Sequence, residues 1–155
     1  MIGDILLVRN GGCLFKRIRD LTNSEFDHAA IFIAEDKVIE SIPVGVVIRD
    51  FSKVYKNSNY KICRLTDQSR VPKMVEYCLS NLGKHYDFLQ LLSLYILVGL
   101  RVKRTVEPIE FKNAFICTEL ISQAAEFAGF RFQDGVANDR ITPQDIYSSN
   151  KVVVL

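Results

Sequence analysis

The chain has 155 residues, 48% of them hydrophobic and 25% charged, with a net charge of +2. This is enough chain for one domain with a buried core and too apolar a composition for a disordered segment, and the near-neutral charge leaves no electrostatic footprint for nucleic acid. The four cysteines, Cys13, Cys63, Cys78 and Cys117, include no C-x-x-C pair, which argues against a zinc knuckle or a dithiol redox motif and suits reduced thiols.

A single domain over residues 1–155 is expected. The N-terminus carries an acid, Asp4, where a secretion signal carries positive charge, and its apolar run is short. It reads as a strand over Asp4 to Arg9, and a cytoplasmic location is expected. Asn10-Gly11-Gly12 marks a turn. Leu14, Phe15 and Ile18 give Cys13 to Asp20 the spacing of a short helix, and Leu21 to Asp27 is a polar loop. His28 to Ala34 is a continuous apolar run, the pattern of a strand buried on both faces. A tight turn at Glu35-Asp36-Lys37 leads back into Val38 to Ser41, which predicts an antiparallel hairpin. Pro43 and Gly45 interrupt the chain before a strand at Val46 to Ile48. Asn57 to Asn59 is a further turn, followed by a strand at Tyr60 to Arg64.

The period then changes to 3.6. Val71, Met74, Val75, Cys78, Leu79 and Leu82 share one helical face, with Ser69 as cap, Pro72 in the first turn and Gly83 at the end. Asp87 suits the cap of a second helix over the apolar run Phe88 to Leu100. That run is shorter than the ~20 apolar residues of a membrane-spanning helix. It reads as a core helix, or as a contact with membrane or partner extending over 88–104, where Arg101, Lys103 and Arg104 suit an anionic surface. Thr105 to Asn113 is a polar connection. A helix from Cys117 to Gly129 carries Leu120, Ile121, Ala124, Phe127 and Ala128 on its apolar face. Thr142-Pro143-Gln144-Asp145 has the form of a capping box, and Lys151 to Leu155 supplies a last strand. Strands first and helices later predict the α+β class, a mostly antiparallel sheet packed against helices.

The chemistry centres on Cys117. A thiol in the first turn of a helix lies near unpaired backbone N–H groups and the positive end of the helix dipole, conditions that favour thiolate. A cysteine nucleophile also needs a base and a group that orients the base. The chain has only two histidines, His28 and His85. His85 reads as a helix-end residue. His28 opens the apolar strand, and the hairpin brings Glu40 towards it as a cross-strand neighbour. A carboxylate on one imidazole nitrogen would fix the tautomer and leave the other nitrogen for the thiol. Taken locally, His28 also reads as a strand-end histidine with a solvated ring, and Glu40 as an exposed strand-end acid.

The order of Gly3-Asp4-Ile5-Leu6, Asp27-His28-Ala29-Ala30-Ile31-Phe32, Val38-Ile39-Glu40-Ser41, Gly83-Lys84-His85-Tyr86-Asp87, Phe115-Ile116-Cys117-Thr118-Glu119-Leu120 and Thr142-Pro143-Gln144-Asp145 resembles one family. It is the permuted NlpC-type papain-like cysteine peptidase/amidase superfamily, in the YiiX-like branch related to lecithin:retinol acyltransferase-like enzymes. The resemblance implies a permuted papain-like fold in which chain order is histidine, polar residue, cysteine, since a site is defined by geometry rather than order. It implies Cys117 as nucleophile, His28 as general base and acid, and Glu40 as orienting group. Tyr86 matches a tyrosine that supports the oxyanion alongside the backbone N–H of Cys117. The implied function is a hydrolase or acyltransferase acting on an amide, ester or thioester through an acyl-enzyme, with no cofactor, no metal and no nucleic acid. The substrate is a peptide, a lipid or another acyl group. The apolar 88–100 run departs from the generic pattern and favours a lipid, lipid-modified or intracellular substrate. The alternatives are a peptidoglycan or peptide amidopeptidase, and a non-catalytic membrane- or partner-binding domain of the same fold.

Overall fold

A computed structural model describes residues 1–84 and 117–155, without the side chains of Leu14, Ile18 and Leu21. The elements run β1 (Ile5–Arg9), α1 (Cys13–Thr22), β2 (His28–Ala34), β3 (Lys37–Ile42), β4 (Gly45–Asp50), α2 (Phe51–Val54), β5 (Asn59–Leu65), α3 (Val71–Ser80), α4 (Cys117–Phe127), α5 (Pro143–Tyr147) and β6 (Val152–Val154). The expected apolar helix at 88–100 with its cap Asp87, its basic extension to 104, and the 105–113 connection lie outside the described residues.

The strands form one six-stranded antiparallel sheet in the order β4-β3-β2-β1-β5-β6. The architecture is α+β. β1 and β2 are interior strands, which accounts for their continuous apolar sequences. Residues of both parities, from Ile5 to Val8 and from Ala29 to Phe32, are fully buried, because each face of the sheet is covered. One face carries Ile5, Leu7, Ala29, Ile31 and Ile39 against Met74 and Cys78 of α3 and Leu120, Ile121 and Ala124 of α4. Small residues at Ala124, Ala125 and Ala128 let α4 approach the sheet closely. The other face carries Leu6, Val8, Ala30, Phe32 and Val38 with Tyr55. α2, which no periodicity in so short a stretch announces, follows β4 and brings Phe51 and Val54 to that second cluster. The outer edge of β4 is bonded to the chain after α3, with Val46 N donating to Lys84 O and Gly83 N to Val46 O, both at 2.9 Å. That blunts an edge strand that would otherwise present unpaired backbone groups.

Four details of α3 and α4 differ from expectation. Ser69 is not the α3 cap. Asp67 accepts from Ser69 N and caps a short 3-10 turn over Gln68–Arg70, and α3 follows without a side-chain cap. α3 ends at Ser80, before Leu82 and Gly83. Leu79 and Leu82 are 42% and 49% exposed rather than buried, since Leu79 stands about 100° around the helix from the buried Cys78 and Leu82 lies beyond the helix end. Phe127 is also half-exposed, against Tyr77. The capping box of α5 is formed as expected: Thr142 Oγ1 accepts from Asp145 N, and Asp145 Oδ2 accepts from Thr142 N at 2.8 Å. Asp therefore serves where Glu or Gln is usual.

Candidate active site

The first residue of β2 is His28, paired with Val8 of β1. Ile31 pairs with Ile39 and Phe32 with Val38. Extending that register by one step sets Glu40 opposite Ala30, so His28 and Glu40 are diagonal rather than direct partners, on the same side of the sheet. Diagonal neighbours remain within reach of long side chains. The His28 Nε2 and a Glu40 carboxylate oxygen, Oε2, form a hydrogen bond. Glu40 is fully buried, not an exposed strand-end acid.

Cys117 is the first residue of α4 and is buried, in neither apolar cluster. α4 packs on β2 and β3, and this brings the Cys117 side chain into hydrogen-bond contact with the His28 ring. With Nε2 engaged by Glu40, Nδ1 is the nitrogen left for sulfur. Burial disfavours a charged His28 ring. The negative charge of a Cys117 thiolate and the hydrogen bond to it, followed by the hydrogen bond and charge of Glu40, override burial and raise the ring to about 10.

The other thiols lack such surroundings. Burial in the apolar core pushes Cys63 up to about 11 and Cys78 up to about 12, as expected of inert structural cysteines. Cys13 is exposed on α1.

Two residues beyond the sequence-derived set complete the surroundings of Glu40. Tyr55, just after α2, is buried, donates its hydroxyl to Glu40 Oε2 and lies parallel to the His28 ring with centroids 6.1 Å apart. Burial first, then the charge and hydrogen bond of Glu40, hold Tyr55 above its ordinary value and therefore protonated as a donor. Arg49 of β4 places Nη1 3.4 Å from Glu40 Oε1. That oxygen accepts no hydrogen bond among the described residues, so Arg49 compensates its charge without bonding it. Burial would raise Glu40, but the hydrogen bond and charge of His28, the Tyr55 hydroxyl and the Arg49 charge outweigh it and hold the carboxyl below its usual range. A carboxylate favoured by opposite charges and donors stays ionised. Strand alternation carries a signal for Arg49, which pairs with Val38 and is thus diagonal to Glu40. Tyr55 had no signal in the sequence, because it reaches the site from a helix-end turn.

The structure thus brings Cys117, His28 and Glu40 together in one chain of contacts. Tyr86, expected at the oxyanion, lies outside the described residues, as does His85.

A family model described as permuted papain-like amidase enzyme, YaeF/YiiX, C92 family, matches residues 1–93. That span holds His28, Glu40, Arg49 and Tyr55 and stops before Cys117. No curated protein matches the chain. Among solved structures, the chain is similar to the crystal structure of metalloprotein yiiX from Escherichia coli O157:H7, with a TM-score of 0.71 at 16% identity, covering 100% of this chain and 96% of that one. At that identity the likeness shows the fold.

Proposed function

The chain belongs to the permuted papain-like amidase family C92, and from that premise we propose that it is a cysteine hydrolase working through an acyl-enzyme, with Cys117 as nucleophile, His28 as base and acid, and Glu40 as orienting group. The observation that carries this reading is the unbroken contact from Cys117 to the His28 ring to Glu40.

His28 Nε2–H donates to Glu40, and Nδ1 takes the proton of the Cys117 thiol, giving the imidazolium that the raised ring favours. The sulfur attacks the carbonyl carbon, forming a C–S bond while the C=O π pair moves to oxygen. The N–H groups of the first turn of α4, including that of Cys117, are the donors for that oxyanion. The oxyanion collapses, the bond to the leaving amine or alcohol breaks, and the imidazolium gives the leaving atom its proton. Water, losing a proton to His28, then attacks the thioester and releases the acid and the thiol. An amine or alcohol in place of water gives acyl transfer by the same steps. Glu40 favours the imidazolium in each tetrahedral state without taking its proton, as in other nucleophile–base–acid sets. Tyr86 is the proposed second oxyanion donor, and the 88–104 segment the proposed contact for an apolar acyl substrate or a membrane. The similar structure is that of a metalloprotein; among the described residues here, no group of three or more His, Cys, Asp or Glu side chains is placed to hold a metal ion, and the proposed steps run through side chains.

The test uses an electrophilic acyl or thiol-directed activity probe on a chain with the exposed Cys13 replaced by Ser. Labelling is expected at Cys117, abolished in Cys117→Ala and slowed in His28→Ala. Labelling that persists in Cys117→Ala, or that His28→Ala leaves unchanged, overturns the reading. The number of labelled thiols in the native chain also tests the exclusion of Cys63 and Cys78.

A further inference from the structure

The end of the sheet that presents His28 also carries an open cleft of about 470 Å³, lined by two arginines, Arg9 and Arg19, and by Asn10, Asn57, Ser58 and Asn59. Val8, opposite His28, immediately precedes Arg9, and Arg9 pairs across β1 and β5 with Asn59. Strands lie about 4.8 Å apart, so the cleft floor begins one strand spacing from the base and ends about two away. Its walls are bonded to the neighbours of the candidate triad on both sides. Asn10 N donates to the carboxylate of Asp27, the residue before His28, at 3.0 Å, and Ser58 N donates to Tyr55 O at 2.9 Å.

Two donors of the cleft, Arg19 and Asn10, are held in place, and the others are little engaged. Arg19 is pinned by the buried Asp27 carboxylate and donates to Asn10 O at 2.8 Å, while Asn10 N donates to Asp27 at 3.0 Å. Asp27 stands behind Arg19 and does not line the cleft; no acid does. Arg9 has one ionic contact among the described residues, to Glu25 at 3.9 Å, where Glu25 is 59% exposed and outside the lining. A pair so long and wet binds a guanidinium weakly. The side chains of Asn57, Ser58 and Asn59 have no partner among the described residues. A cationic, acid-free concavity rich in free N–H and O–H donors suits an oxyanion, which arginine forks and amide donors recognise together.

We propose that this cleft is a substrate subsite that binds a carboxylate or phosphate group carried by the acyl substrate, with Arg9 as the principal ligand. Its place in a reaction rests on the cysteine-hydrolase reading. Anion recognition by the cleft does not.

Two measurements test it, on the full chain with Cys13→Ser. The first compares alkylation of Cys117 by iodoacetate and by iodoacetamide, which share a reacting carbon and differ in charge. In Arg9→Gln the iodoacetate to iodoacetamide rate ratio is expected to fall about threefold at low ionic strength, to be restored in Arg9→Lys, and to lose its dependence on Arg9 as salt screens the charge. An unchanged ratio, or a parallel fall of both rates, overturns the proposal. Failure of His28→Ala to slow iodoacetamide would instead overturn the hydrolase reading. The second titrates inorganic phosphate, then acetate, while following backbone amide resonances. Saturable shifts at residues 9–11 and 57–59, weakened in Arg9→Gln, are expected with one anion or both, and tell a tetrahedral from a planar preference. No saturable shift with either anion removes the subsite, whatever Cys117 does.

Discussion

Replacing Glu40 by Gln keeps the shape of the side chain and removes its charge. In the native site the His28 ring is raised to about 10, with Glu40 contributing a hydrogen bond and a charge after the larger effect of Cys117. A hydrogen bond with an ionised partner contributes about 1.5–3 kcal/mol and a neutral one about 0.5–1.5. Glu40→Gln therefore removes about 1–1.5 kcal/mol of preference for imidazolium, close to one pKa unit. The sign is fixed: a lost anion lowers the pKa of a cationic acid, so the ring is expected to titrate about one unit lower, near 9. Cys117→Ala, which removes the larger contribution, is expected to lower it further. With only two histidines in the chain, imidazole proton resonances report this directly, and a His85→Gln variant assigns them. Stability follows the same shift. The contribution of His28 is complete below its ordinary value of 6.5 and is lost as pH rises through about 10, so the alkaline loss should finish about one unit earlier in Glu40→Gln. An imidazole titration unmoved by Glu40→Gln, or moved more by it than by Cys117→Ala, would refute the account of the site.

Glu40 itself is held below its ordinary value of 4.5; its contribution to stability is present above that value and lost as pH falls through the lower folded one. Urea midpoints of the wild type should drop as pH falls below about 4.5 with a component that is missing in Glu40→Gln; equal slopes would count against a stabilised carboxylate. Tyr55→Phe deletes a buried donor to an ionised acceptor and should cost about 2 kcal/mol in urea unfolding, whereas a change under about 0.5 kcal/mol would mean that the hydroxyl does little for Glu40. Gly3 has a φ of 82°, and a Cβ there would meet Val71 Cγ1 at 2.3 Å. Gly3→Ala should therefore destabilise by about 2 kcal/mol or more through backbone strain and overpacking. Val71→Ala in the same chain should recover part of that loss, and strict additivity of the two changes would argue against the contact.

The sheet was legible because burial leaves a period. β1 is apolar from Ile5 to Val8 and β2 from Ala29 to Ala34, the mark of strands covered on both faces, and the turn at residues 35–37 joins β2 to β3 with the hairpin register that sets Glu40 near His28. The helix ends were less legible. Periodicity carried the stripe of α3 past Ser80 to Leu82, because an apolar residue at the right spacing looks the same whether the helix continues or has stopped. Asp67 and Ser69 both suit a cap, and only backbone hydrogen bonds decide between a 3-10 turn and the start of α3. In the site, Cys117, His28 and Glu40 could be found because cysteine and histidine are scarce and a hairpin is local. Arg49 carried only the weak signal of strand alternation, and Tyr55 could not be selected among the chain's six tyrosines. Their roles exist only through contacts made after β4 has folded back on β3 and α2 has packed beneath the sheet.

The site alternates in sign along its contacts: Arg49 cationic, Glu40 anionic, His28 drawn towards imidazolium with the Cys117 sulfur beside it. Each charge has an opposite neighbour, so a buried carboxylate and a buried ring are tolerated where either alone would be neutralised by a shifted pKa. The components differ in how firmly they are held. His28 and Glu40 lie on strands bonded along both edges, β2 between β1 and β3 and β3 between β2 and β4, so neither backbone can move without breaking a ladder. Cys117 arrives instead on a helix whose approach is set by side-chain packing, with Ala124 and Ala125 fully buried at the contact. The base and its orienting acid are therefore a rigid unit, and the sulfur-to-ring distance is the coordinate that packing of α4 controls. This division of labour does not depend on chain order. A permuted sequence can deliver the histidine strand first and the cysteine helix later, because both edges of β2 and of β3 are bonded by strands that precede α4 in the chain.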